Sequence, residues 1–146
     1  MWPTMQVVVS EQGRFVLNMA RGEELLATLM AWLKSEGVTG ATFTGLGAAD
    51  SLELAYYNLG TKTYERHTVE EEVEILSLTG NVATLKGEVA LHIHGVFGRK
   101  DLSTFGGHLF SLKVSGACEI HLATFAKPFV RMYDEATGLN LLCSVK

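Results

Sequence analysis

Cysteine is scarce in this chain. Two of them, Cys118 and Cys143, in 146 residues make no disulfide framework, and neither belongs to a Cys-x-x-Cys pair. Cys118 sits in an apolar alternating run and reads as a packed core thiol. Charge is also in short supply, at 19% of residues against 47% hydrophobic. A small monomer needs a solvated surface, so part of this surface is expected to be buried in an oligomer. Positive charge is not in excess: the net charge is −4, and Arg99-Lys100 is an isolated basic pair. The chain therefore lacks the basic footprint of a free-standing nucleic-acid binder. No stretch reaches the ~18 consecutive apolar residues of a membrane span. Met1-Trp2-Pro3-Thr4-Met5 carries no basic cluster ahead of an apolar segment, so no leader is expected and a cytoplasmic location follows. Linkers and low-complexity tracts are missing, and no Ser/His/Asp or Cys/His motif stands out.

What remains is one domain's worth of alternating apolar segments. Residues 6–10 and 15–19 flank Glu11-Gln12-Gly13 and predict a β-hairpin. Arg21-Gly22-Glu23-Glu24 opens a helix with acids in its first turn. Leu25, Leu26, Leu29, Met30, Trp32 and Leu33 give that helix one apolar face, and Gly37 stops it. Strands are then expected over 40–46, 51–58, 64–69, 73–78, 82–85, 87–97, 108–114, 117–125, 129–133 and 139–143. Thr79-Gly80-Asn81 reads as a turn within this series, and Gly45-Leu46-Gly47 as a turn or bulge and not a nucleotide loop. The expected class is α+β: a single domain of mostly antiparallel sheet with one long helix in the N-terminal half.

Histidine carries the chemistry. Leu91-His92-Ile93-His94-Gly95 puts two imidazoles at i, i+2 of a strand, hence on one face. Gly106-Gly107-His108-Leu109 supplies a third, with two glycines that allow close backbone approach just before it. Three neutral imidazoles on one side suit a metal ion with an open position. The competing reading is three histidines hydrogen-bonded inside a subunit interface. Glu119 and His121 share a strand face, with solvent or a neighbouring subunit as the default surroundings, and His67 is expected at the surface. Glu70, Glu71 and Glu72 read as a solvated strand end. Glu74 opens an apolar segment; a partly buried acid there would serve as an outer partner of the site, a general base or an interface acceptor.

The order and spacing of Glu74-Ile75-Leu76-Ser77-Leu78-Thr79-Gly80, Leu91-His92-Ile93-His94-Gly95 and Gly106-Gly107-His108-Leu109 resemble the plant and prokaryote conserved (PPC) domain. Gly13-Arg14-Phe15-Val16-Leu17, Gly22-Glu23-Glu24-Leu25 and Gly45-Leu46-Gly47-Ala48 fit the same pattern, so that the resemblance spans residues 5–143. It implies a homotrimer and a metal-binding module. His92, His94 and His108 would hold zinc or another divalent transition metal. It also implies DNA-binding or transcription-associated regulation, since plant members join this domain to AT-hooks. No such arm is present here, and minor-groove reading depends on inserted Arg. The fold is similar to that of acetolactate decarboxylase as well. That similarity offers the alternative of a zinc-dependent lyase on a small carbonyl or carboxylate substrate bound near the metal. Glu74 and Arg131 are then the catalytic candidates, without a motif match for either.

Overall fold

In the computed structural model, residues 4–145 are described; Met1, Trp2 and Pro3, from the stretch read above for a leader, and Lys146 lie outside the described residues. The chain opens with β1 (Gln6–Glu11) and β2 (Arg14–Met19), closed by the pair Glu11↔Arg14. Gln12 and Gly13 between them both take positive φ, 49° and 76°. That two-residue turn has the twist hairpins prefer, and the hairpin is the one expected.

The helix α1 (Leu25–Ser35) is 11 residues long, three turns and not the long element expected. Both ends are set by the sequence. The Glu24 carboxylate accepts from the Ala27 backbone N–H at 2.6 Å, so this acid is the cap and the first turn itself holds none. Glu23 turns away to accept from Ala20 N–H and Met5 N–H. At the other end Gly37 has φ 67°, a left-handed stop. Leu25, Leu29 and Leu33 are fully buried against the sheet. Each such leucine stabilises the fold by roughly 1.5–3 kcal/mol.

Seven further strands follow: β3 (Ala41–Asn58), β4 (Thr63–Val69), β5 (Val73–Leu85), β6 (Glu88–Gly98), β7 (Thr104–Thr124), β8 (Val130–Asp134) and β9 (Leu139–Cys143). They form a nine-stranded sheet with path β1-β2-β7-β3-β5-β8-β9. β4 flanks β3, and β6 joins β5 to β7, so β3, β5, β6 and β7 close into a ring of paired strands. All pairs are antiparallel except β5 with β8. The sheet is thus mixed.

Three expected breaks are absent. Residues 40–46 and 51–58 belong to one strand, as do 73–78 with 82–85, and 108–114 with 117–125. Gly80, which signalled a turn, serves close packing instead, whereas Gly45-Leu46-Gly47 is a bulge, one of the two readings expected there. A Cβ on Gly80 would stand 2.4 Å from Phe43 Cζ and 2.6 Å from the His92 carbonyl oxygen. Gly47 lies at a register shift between β3 and its neighbours, where a Cβ would meet the Ala117 carbonyl at 2.0 Å. Glycine within a strand marks such bulges and contacts. Cys118 is fully buried, as expected; burial, aided by Glu119, pushes its thiol pKa up to about 12 and keeps it inert. No helix among the described residues is long and apolar enough to cross a membrane.

Candidate metal centre

The ring of strands brings the three histidines together. On β6, Ile93 and Phe97 point into the core while His92 and His94 point away from it, as a period of two requires. β7 then sets His108 directly opposite His94 in the β6–β7 ladder. The two glycines before His108 permit this approach. A Cβ on Gly106 would lie 2.4 Å from the Gly95 carbonyl oxygen, and one on Gly107 2.8 Å from that of Ala55.

One ring nitrogen from each of His92, His94 and His108 lies within 4.8 Å of the other two. The His92 and His94 Nε2 atoms are 3.1 Å apart. Two nitrogens bound to one tetrahedral zinc stand about 3.3 Å apart, so this spacing suits joint ligation. His108 Nδ1 is buried and has no hydrogen-bond partner among the described residues, which a ligand or an outer acceptor would relieve. Desolvation lowers the His108 pKa to about 4, helped by His92, His94 and Arg66. Desolvation likewise lowers that of His92, with His94 and Arg131 adding to it. Both rings are therefore held neutral, the form in which imidazole ligates. The donor set fits a borderline transition ion better than calcium or magnesium, which ask for oxygen.

Tyr64 and Phe110 wall His108, each with its ring centroid 4.7 Å away. Arg131, on β8, reaches the site because β8 runs parallel to β5 with Leu85 opposite Arg131. Its Nη2 donates to Asn81 Oδ1 at 2.7 Å and its Nη1 to the Asn140 carbonyl at 2.8 Å. The same Nη2 lies 3.4 Å from His92 Nδ1, too long to fix that ring's tautomer. Glu74 is not brought here. It is exposed and stands opposite Gly98, whereas the histidines of β6 stand opposite Thr79 and Asn81. Val73 and Ile75, its apolar neighbours in sequence, are buried on the other side of the strand, so the partly buried acid expected there is a surface acid. His67 is exposed, as expected; so are Glu119 and His121, and His121 lines the open apolar face that runs up to His92 and His94. Tyr64 and Asn81 carried no signal: one lay in a weak strand, the other in a supposed turn.

Comparison with known proteins bears on the family and the fold. No curated protein matches the chain. Among solved structures, a candidate DNA-binding protein from Bacteroides thetaiotaomicron is 30% identical, with TM-score 0.92 over 96% of this chain and 97% of its own. A metal-containing protein from Archaeoglobus fulgidus is 31% identical, with TM-score 0.85 over 98% and 100%. A plant- and prokaryote-conserved protein from Pyrococcus horikoshii is 26% identical, with TM-score 0.84 over 100% and 99%. An α-acetolactate decarboxylase from Bacillus subtilis, at 12% identity and TM-score 0.56 over 84% and 57%, shares only the fold. The family model for the Plants and Prokaryotes Conserved (PCC) domain matches residues 4–126, and the chain belongs to that family.

Proposed function

We propose that this chain, over residues 5–143, is a homotrimeric metal-binding module in which His92, His94 and His108 hold zinc or another divalent transition metal. The observation that carries the reading is the triad itself: three imidazoles from two paired strands, with His108 Nδ1 buried and unpartnered. A relative 31% identical is described as metal-containing, which supports it. Bound there, such an ion supplies Lewis acidity toward an oxygen ligand or water. The trimer is supported by the low charged fraction and by the exposed apolar side chains Val7, Val8 and Val9 of β1, of which Val9 lies on the face that runs up to the histidines. Elemental analysis of the purified protein should return about one metal per chain, and light scattering a mass near three times 15.9 kDa. A clean monomer removes the trimer.

The role of the module is DNA-associated regulation, on the strength of relatives described as candidate DNA-binding proteins. With a net charge of −4, contact would come from a local patch of the assembly. A gel shift at low salt should show weak binding that fades steeply as salt rises; no shift at any salt removes DNA as a direct partner. A zinc-dependent lyase on a small carbonyl or carboxylate substrate is the second reading. The guanidinium of Arg131 beside His92 favours it, and turnover of β-keto acids would establish it.

A further inference from the structure

A second cavity of about 780 Å³ opens beside the triad, between the β6–β7 surface and the β4 and β8–β9 segments. Pockets of this size take small organic ligands. Its charge is one-sided. Arg131 and Lys62 line it together with the three histidines, and among the described residues no aspartate or glutamate does. Arg131 forms no salt bridge among the described residues, where Arg66 and Arg99 each have an acid within reach. Its protein acceptors are an amide oxygen and a backbone carbonyl, plus the long contact to His92. Those contacts engage Nη1 and Nη2 but not Nε, leaving donor capacity on a guanidinium that is partly buried and already oriented. A partly buried cation with no counter-ion gains from a ligand that supplies the charge.

We infer that this cavity binds a small carboxylate with an apolar or aromatic body, its carboxylate on Arg131 and its body against Tyr64 and the leucines of the wall. The planar fork of arginine matches a carboxylate in two parallel hydrogen bonds. Leu85, Leu91, Leu139 and Leu141 also line it and offer a hydrocarbon or ring an apolar surface. The claim concerns binding and not turnover. It narrows the small carboxylate of the second reading to one with an apolar or aromatic body, and rests on the metal-centre reading only for the ion at the cavity's edge.

The probes are benzoate and its uncharged analogue benzamide, titrated by two-dimensional NMR into the wild type with and without one equivalent of added zinc. Benzoate should bind saturably, with shifts centred on Tyr64, His108 and Arg131, and benzamide roughly tenfold or more weakly, since a charge-assisted pair is lost. On protein saturated with zinc, Arg131→Met should bring benzoate down to the benzamide level, and Arg131→Lys should recover part of the difference. Equal binding of the two probes, or full benzoate affinity in Arg131→Met, overturns the inference. Arg131 also ties β5 to β9, so if Arg131→Met does not fold, the wild-type benzoate-to-benzamide ratio and the Arg131→Lys variant decide. A wild type that takes up no zinc yet separates the probes overturns the metal reading alone. Zinc uptake without separation overturns this inference alone.

Discussion

Replacing His92 and His94 together by alanine is expected to abolish metal binding while leaving the fold intact. Outer partners of a metal site alone cost about 10–100-fold in affinity when removed, so losing two ligands of three should cost more than about a hundredfold. The fold should survive because neither side chain is part of the core: His94 is exposed and His92 only partly buried. Ile93 and Phe97, which do anchor β6, are untouched. Elemental analysis after dialysis against a trace of zinc reads the result, with circular dichroism as the check on folding. His67→Ala and His121→Ala, both at exposed positions outside the triad, should keep the wild-type stoichiometry. If the double variant retains as much metal as the wild type, the ligand assignment is wrong.

Metal-free protein should lose stability as the pH falls from about 6.5 toward about 4, the window set by His108. The folded pKa lies below the unfolded one, so the unfolded chain takes up the proton first. The stabilising preference for a neutral ring is complete above about 6.5, erodes through the window and is gone below about 4. His92 is shifted in the same direction, by desolvation first, and deepens the slope. Asp101 and Asp134 act elsewhere. Hydrogen bonds from Ser103 and Thr137 lower their pKa values from 3.8, so their contribution fades only at more acid pH. Urea unfolding midpoints across the window test this in the wild type and in His108→Gln, whose amide cannot take the proton. The variant should show the shallower pH dependence. Parallel curves would mean that His108 is not the source.

The parts of this molecule legible in its sequence are those in which neighbours along the chain decide the outcome. The β1–β2 turn needs two positive φ values, and Gln12-Gly13 supplies them. β6 needs a period of two, and His92-Ile93-His94 displays it. Both ends of α1 were visible as residue types, although its length was overestimated because Glu23 and Glu24 were counted inside the helix when they stand before it. Thr79-Gly80-Asn81 has the composition of a turn, but Phe43 lies over Gly80 from the adjacent strand. No local pattern distinguishes a glycine that bends the chain from one that makes room for a distant ring.

The sequence by itself determined the class of chain, the hairpin, the helix stop and the three imidazoles as one set. Periodicity and turn chemistry act over a few residues and leave their mark in order. Tertiary structure alone decided what surrounds those imidazoles. The β6–β7 pairing set His108 opposite His94. The single parallel contact of β8 with β5 carried Arg131 to His92 while register left Glu74 in solvent. Pairing between strands far apart in the chain is chosen by the burial of a whole sheet face, and no single segment encodes it.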